Sequence, residues 1–427
     1  MKIAIVSNSR QDSNGGSARV AQEMAQYVAR THEVLLICPG DRAVSRRETD
    51  NLTLCEVLGA GKGDVCVPSL TRGSQRRLSA ALDAFVPDVV HSHDPLSINQ
   101  VVQAWANARG VPFVHTSHLD PSRYLDFGIA DVTRLFKIQA IERMVTRLLK
   151  EFYRNCDAVV APNNAAESEL RHFGYTGSIF VIPNGRDLGE YRPCKNADVG
   201  AQEKVLTFIG WISSRKNQLF LMQATKYLPE NYRLQIIGTW LDPSYRRTVE
   251  HAMREQSFTN VRFLGQIDHA KIPERLEETH VFVSASKLEV QSLAVIEALA
   301  SGTPVVGLSN ETIDELVDDT VGCRLPKDTS PQDFADRVRT ICELAQPDYD
   351  GLCERARQRV QVHDWSNVVA QTIAAYQHVA QVTVPRAVSR STRMHLALTA
   401  MSSSLAFPLV GPTSLYLRAR GSRATTR

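Results

Sequence analysis

The chain has 427 residues, more than one hydrophobic core usually fills, so two domains are the first expectation. Its composition is that of a water-soluble globular protein, with 43% hydrophobic and 22% charged residues, and its eight cysteines include no C-x-x-C pair, which excludes a zinc knuckle, a dithiol redox motif or a secreted disulfide framework. The net charge is +3, but seven arginines and no acid lie beyond Val384; without them 42 basic and 46 acidic residues remain, a body of −4. Basic residues elsewhere alternate with acids and no RNA- or DNA-binding motif occurs, so nucleic acid is not an expected partner.

Met1-Lys-Ile-Ala-Ile-Val6 is too short an apolar run for a signal peptide and reads as a first buried strand, and a reducing cytoplasm suits the scattered cysteines. Short β-branched runs then alternate with helical periodicity: Ile3 to Ser7, Glu33 to Cys38, Val89 to His91, Phe113 to Thr116, Ala158 to Ala161 and Phe180 to Ile182. A second series follows at Leu206 to Ile209, Leu234 to Ile237, Val261 to Phe263, Val281 to Ser284 and Val305 to Leu308. Runs of this kind are buried parallel strands, and the alternation predicts two tandem doubly wound α/β domains. The boundary is expected at Asp187 to Lys204, with a ligand between the domains at the carboxyl ends of the strands.

Several strand ends carry chemistry-bearing residues. Gly15-Gly16 follows the first strand and opens a helix, where bare backbone can approach a diphosphate, although a plain turn has the same composition. His115-Thr-Ser-His118 ends another strand. A long helix is expected over Asp131 to Asn155, with Leu135, Ile138, Ile141, Val145, Leu148 and Phe152 on its apolar side and six basic residues among its polar positions. Such a face is either simply solvated or a membrane or acceptor surface. Arg215-Lys216 comes just past Phe208-Ile-Gly210, where a lysine can neutralise a leaving diphosphate.

The densest signal is Glu289-Val-Gln-Ser-Leu-Ala-Val-Ile-Glu297, followed by Ala-Leu-Ala-Ser-Gly302-Thr-Pro304. Ser292 to Ala300 reads as a helix that Ser292 can cap, with Leu293, Ile296 and Ala300 inward. Glu289 then lies on the preceding loop and Glu297 on the second turn, so a loop folded over the helix start brings both carboxylates to one ligand, beside amides suited to a phosphate. On spacing alone, two solvated glutamates fit as well.

In this order, Asn14-Gly-Gly16, Asp88-Val-Val-His-Ser-His-Asp94, His115-Thr-Ser-His118, Val181-Ile-Pro-Asn-Gly-Arg-Asp187, Phe208-Ile-Gly210 with Lys216-Asn217, and Glu289 to Val306 resemble the retaining GT-B glycosyltransferases of glycosyltransferase family 4. The resemblance implies a GT-B fold of two Rossmann-like domains. Residues 1–190 would take the acceptor, 200–364 the nucleotide sugar, and 365–381 would return to the first domain; by their own composition 385–427 read as a basic, weakly apolar tail, either disordered, a surface anchor or a membrane span. It implies Glu297 on the ribose and Glu289 on the donor sugar. The amides near Ser292 and Leu293, with Lys216, would take the diphosphate, His118 would stand beside the transferred sugar, and Gly15 and Gly16 near the phosphates and acceptor. Gln266 and Ile267 would lie near the base. His118, Lys216 and Glu289 would be the catalytic set, acting with retention and without a metal or other cofactor. The family often has an arginine directly after the glycine of Phe208-Ile-Gly210; this chain has Trp211, which leaves Arg215 as the residue to take that role.

Within the family, His115 to His118 with Tyr124 on the acceptor side and the basic amphipathic helix most resemble the synthases that glycosylate diacylglycerol. A hexose would pass from a UDP-sugar, UDP-glucose or UDP-galactose, to a membrane glycerolipid, with an anionic membrane surface as partner and a cytoplasmic, peripheral location. A soluble or polysaccharide acceptor stays open. So do a metal-dependent hydrolase built on His91 and His93 with Asp94 and His118, a sugar-nucleotide epimerase or glycoside phosphorylase, and a binding protein without activity.

Overall fold

The computed structural model of the chain describes residues 1–13, 15–62, 65–122, 139–192, 202–383 and, in part, 392–401. It divides into two compact units: one holds Met1–Ser122, Ala140–Gly185 and the chain from Ser366, the other Arg186–Trp365.

The first unit is built on β1 (Lys2–Val6), β2 (Glu33–Gly40), β3 (Val44–Arg47), β4 (Leu52–Lys62), β5 (Val65–Pro68), β6 (Val89–Ser92), β7 (Phe113–Thr116), β8 (Ala158–Ala161) and β9 (Ser178–Val181). Its sheet runs β3-β4-β2-β1-β6-β7-β8-β9, with β5 paired to β4. From β4 to β9 all neighbours are parallel, and only β3 and β5 pair antiparallel with β4. Strand order reverses between β1 and β6, so loops leaving those two strands diverge to opposite faces and open a crevice at their carboxyl ends. His91 and His93 follow β6 or end it, and His118 follows β7.

The second unit contains β10 (Lys204–Ile209), β11 (Tyr232–Ile237), β12 (Val261–Gly265), β13 (Val281–Ser284), β14 (Val305–Leu308) and β15 (Gly322–Leu325). They form one parallel sheet in the order β12-β11-β10-β13-β14-β15. Both faces are covered. Helices 218–224, 243–255 and 331–342 pack Met222, Val249 and Val338 on one side, and helices 293–300 and 311–316 pack Ile296, Leu299 and Ile313 on the other. Here the order reverses between β10 and β13.

Three adjacent strands of this sheet end in glycines with positive φ: Gly210 (146°), Gly238 (150°) and Gly265 (70°). Gly210 donates to the Ile237 carbonyl and Gly238 to the Gly265 carbonyl. A Cβ on Gly238 would lie 1.9 Å from the Gly210 oxygen, so backbone alone fits there.

The strand runs read from sequence are present, most of them a residue or two longer or shifted. The meander β3 to β5 and the edge strand β15 were not expected. Of the helix expected over 131–155, Gln139–Arg154 is helical and the residues before it lie outside the described set, as do Asn14 and Tyr124. The tail differs from a disordered expectation where it is described. Residues 392–394 are helical, the Thr392 hydroxyl donates to Glu151 at 2.7 Å, the Gln75 amide donates to the Leu396 carbonyl at 3.2 Å, and Ala400 is buried. Among the described residues no helix is long and apolar enough to cross a membrane.

Candidate functional site

Two clusters form, one in each unit, both at the carboxyl ends of the strands where order reverses. In the second unit, the chain leaves β10 through Gly210 and Trp211 and turns back through Ser213. Asn217, at φ 57°, starts the next helix in left-handed backbone. That turn delivers Arg215 and Lys216 to the loop that follows β13. Lys216 Nζ donates to Glu289 Oε1, and Arg215 Nη1 stands 3.8 Å from Glu289 Oε2. Backbone ties fix the pairing: Arg215 donates to the Leu288 carbonyl at 3.0 Å, and the Lys287 amide donates to the Arg215 carbonyl at 2.9 Å. Burial by itself would raise the Glu289 carboxyl, but the charges of Lys216 and Arg215 and hydrogen bonds from Lys216 and Ser286 outweigh it and hold the group below the usual carboxylate range. Burial lowers the Lys216 ammonium from its ordinary value against the opposing pull of Glu289. Arg215 therefore supplies a second cation at this site. Trp211 is half-buried and gives its carbonyl to the Gln218 amide at 2.8 Å.

The helix after this loop spans Leu293–Ala300. Ser292 is its N-cap residue, but its side chain makes no capping bond; instead its backbone amide donates to Thr312 Oγ1 at 2.8 Å. The loop is held from the neighbouring helix as well, since the Glu289 amide donates to Glu311 at 3.1 Å and the Gln291 amide group to Glu315 at 3.3 Å. The Ser292 amide is thereby occupied, which leaves the first-turn amides of Leu293 and Ala294 at this helix start. Those first-turn amides have no intrahelical acceptor.

Glu297 is buried, and its carboxylate is already engaged: Oε1 lies 2.9 Å from Arg186 Nε and 3.0 Å from His269 Nε2. Arg186 is itself among the largest fully buried side chains, held by its amide to the His363 carbonyl and its carbonyl to the Trp365 amide. Neither Arg186 nor His269 was picked out from sequence as a site residue. Arg186 lies inside the Val181 to Asp187 segment, between Asn184-Gly185 and Asp187, where its polar neighbours give it the look of an exposed turn residue. His269 had none, because the turn that brings it to Glu297 is set by tertiary structure. Gln266 is exposed and accepts from Thr239 Oγ1 at 3.2 Å, and Ile267 is half-buried beside it. The solvated reading of the glutamate pair does not hold, since both are buried and paired.

In the first unit four histidines converge. His91 is fully buried, with Nδ1 2.5 Å from the Tyr376 hydroxyl and Nε2 2.6 Å from Thr116 Oγ1. His93 stacks on His91 at 4.6 Å between ring centroids, and its Nδ1 is 2.9 Å from His118 Nε2. His115 Nδ1 lies 3.2 Å from Ser92 Oγ. Burial pushes all four below the ordinary imidazole range, His91 to about 3 and His118 to about 4. Asp94 turns away from them, accepting from the Asn8 amide at 2.7 Å and Ser7 Oγ at 3.4 Å. A hydrolytic metal centre on His91 and His93 is poorly served by this geometry: both nitrogens of His91 already face hydroxyls, and the nearest carboxylate is committed elsewhere. Gly15 caps the helix Gly16–Val28 in extended backbone, and neither glycine uses a positive φ.

Residues 14–190 match the model of "Glycosyltransferase Family 4" and residues 195–359 that of "Glycosyl transferases group 1". The alpha-monoglucosyldiacylglycerol synthase of Streptococcus pneumoniae is 25% identical over 58% of this chain, and the chain spans only 57% of that enzyme's length. A GDP-mannose-dependent alpha-mannosyltransferase of Corynebacterium glutamicum is 23% identical over 98% of this chain and 97% of its own. Among solved structures, sucrose-phosphate synthase from Thermosynechococcus elongatus superposes with a TM-score of 0.72 at 20% identity, covering 89% of this chain and 99% of that one, which is a likeness of fold. With two tandem parallel-sheet units, each carrying its cluster at the strand-order reversal, and both halves matching these models, the chain belongs to glycosyltransferase family 4 and has the GT-B fold.

Proposed function

We propose that the chain transfers a hexosyl group from a nucleoside diphosphate sugar, with a UDP-hexose as donor, to a hydroxyl of a membrane glycerolipid, with retention and without a catalytic metal. The observation that carries this reading is the meeting of Lys216, Arg215 and Glu289 beside the start of helix 293–300, at the strand-order reversal of the second sheet. In the unloaded protein Lys216 and Glu289 satisfy each other. On donor binding they separate: Lys216 and Arg215 turn to the diphosphate with the amides of Leu293 and Ala294, and Glu289 turns to the sugar hydroxyls. Charge developing on the departing nucleoside diphosphate is then stabilised by two cations and a helix N-terminus, groups already in place before reaction. The acceptor hydroxyl attacks on the face that the leaving group vacates, and a phosphate oxygen takes its proton. Glu297, oriented by Arg186 and His269, holds the ribose, Gln266 and Ile267 border the base, and His118 stands beside the transferred sugar. Gly15 and Gly16 border the acceptor and phosphates.

Support for a lipid acceptor comes from the named activity of the pneumococcal relative and from the exposed basic face of helix 139–154, with Arg143, Arg147 and Lys150. A second donor reading has its own support. The corynebacterial relative, aligned along 98% of this chain, is named for GDP-mannose.

Purified protein incubated with UDP-glucose, UDP-galactose and GDP-mannose, first alone and then with diacylglycerol or glycolipid in mixed micelles, separates these readings. Slow nucleotide release, accelerated by lipid, is the expected result with one donor. A new sugar nucleotide without release identifies an epimerase, and inertness toward all three donors overturns the proposal. Lys216→Ala is expected to lower kcat by about 100-fold with a smaller change in KM.

A further inference from the structure

A part-buried hydrogen bond joins His93 Nδ1 and His118 Nε2 at 2.9 Å, with the two ring planes within 18° of parallel. Burial keeps both imidazoles neutral near pH 7. Each ring then carries one N–H, and the bond between them needs one of the two facing nitrogens to be the donor. Two arrangements satisfy this. If His118 donates from Nε2, His93 must carry its proton on its own Nε2. That atom is buried and has no hydrogen-bond partner among the described residues. An orphaned N–H would then be shut away from water. If His93 donates from Nδ1, its buried Nε2 is a bare lone pair, and His118 carries its proton on Nδ1. Buried orphan N–H groups are the rarer defect, so the second arrangement is favoured.

The surroundings hold His93 in place for this task. It is fully buried, and its ring is stacked on His91, which is anchored by Tyr376 on one side and Thr116 on the other. His118, by contrast, is half-buried, and its Nδ1 has no partner among the described residues.

We infer that His93 is a positioning residue: it donates to His118 Nε2 and so fixes His118 in the tautomer that presents an Nδ1–H donor to an oxygen of the transferred sugar. The inference rests on the reading of His118 as the residue beside that sugar. A neutral ring presenting N–H selects an acceptor oxygen, whereas the other tautomer would present a lone pair to the same atom.

The test has one arm that does not depend on activity. In the full-length protein labelled with 15N-histidine, the His118 nitrogens are assigned by loss of their signals in His118→Gln. Their shifts should show Nδ1 protonated and Nε2 bare at pH 7. Protonation on Nε2, or an imidazolium, overturns the inference whether or not any sugar is transferred. The second arm follows nucleotide release from UDP-glucose or GDP-mannose, whichever the wild type uses. His93→Phe keeps the stack and removes the donor, and should cost about 10- to 100-fold. His93→Asn, whose Nδ2 stands where the imidazole Nδ1 stood, should restore most of the loss and keep the His118 proton on Nδ1. Equal release by the two variants, with both folded, would overturn the positioning role. If the wild type releases nucleotide from no donor, the functional reading fails, and the spectra alone decide the tautomer.

Discussion

Arg186 changes what the Glu297 carboxylate is for. A carboxylate buried this deeply needs a partner, and Arg186 Nε at 2.9 Å, with His269 Nε2 at 3.0 Å, supplies two on the same oxygen. The cost of desolvating both charges means that the pair adds little net stability over an apolar pair of the same volume, but breaking it strands one charge. Arg186→Met fills similar space without charge and should lower unfolding free energy by about 3 kcal/mol, read from urea midpoints. The double variant Arg186→Met/Glu297→Gln should recover much of that loss, because no charge is left unpaired. An unchanged midpoint in the single variant would mean that solvent already screens the pair. The arrangement also governs how the nucleotide role of Glu297 is tested. Glu297→Ala strands Arg186, so weakened nucleotide binding in that variant mixes lost contact with lost fold. Arg186→Met/Glu297→Gln, titrated well below its unfolding temperature, loses the contact without leaving a charge unpaired and so isolates it.

At the scale of elements, the ends of β10, β11 and β12 make their own demands on backbone. Gly238 has φ of 150° and its missing Cβ would overlap the Gly210 carbonyl at 1.9 Å, whereas Gly265 has φ of 70° and nothing within 4 Å of the same point. Gly265→Ala should therefore cost about 1 kcal/mol, the left-handed penalty alone. Gly238→Ala should cost about 3 kcal/mol or more, since strand ends carrying the Gly210 turn must move apart. The Gly210 turn leads to Lys216, so nucleotide affinity should fall with stability in Gly238→Ala and stay near wild type in Gly265→Ala; equal effects would refute the overlap argument. The contrast also marks what was legible in the sequence. Strands such as Phe113 to Thr116 or Val281 to Ser284 are β-branched or aromatic, buried on both faces, and read directly. Cys66 with Val65 and Val67, or Arg46 with Arg47, form β5 and β3 only because β4 offers an antiparallel edge, and no local pattern announces that. At the site, Lys216 and Glu289 were legible because strand-end position is a topological consequence of the alternation. Arg186 and His269 were not, because their partner is fixed by a loop closure far along the chain. Ser292 reads as a side-chain cap from its residue type, but its hydroxyl makes no capping bond, and its amide is held by Thr312 of a neighbouring helix, a contact invisible before folding.

For the whole molecule, charge is distributed by segment. The body carries −4 and the chain beyond Val384 carries seven arginines without an acid, so attraction to an anionic surface must come mainly from that segment and from local basic faces. Helix 139–154 provides such a face, where Arg143, Arg147 and Lys150 are exposed around Met144, which is 55% exposed. Thr392 bonds Glu151 on this same helix, so that residue of the tail lies against the helix that carries the basic face. Each arginine near an anionic bilayer contributes about 1 kcal/mol, and a polybasic segment supplies stable attachment only when joined to a second signal, here the helix with its exposed methionine. Three variants test this with vesicles of phosphatidylglycerol and phosphatidylcholine. Replacing the seven tail arginines by serine should cut the fraction that sediments by about tenfold or more at low salt and abolish most of its salt dependence. Deleting residues 385–427 should do the same and also remove the Thr392 bond to Glu151. Replacing Arg143, Arg147 and Lys150 by serine should weaken binding in addition to either change, since the helix supplies basic charge of its own. Neutral phosphatidylcholine vesicles should bind wild type and variants equally poorly. If the serine-substituted tail leaves binding to anionic vesicles unchanged, the basic segment is not an anchor, and the case for a lipid acceptor rests on the helix and the pneumococcal relative alone.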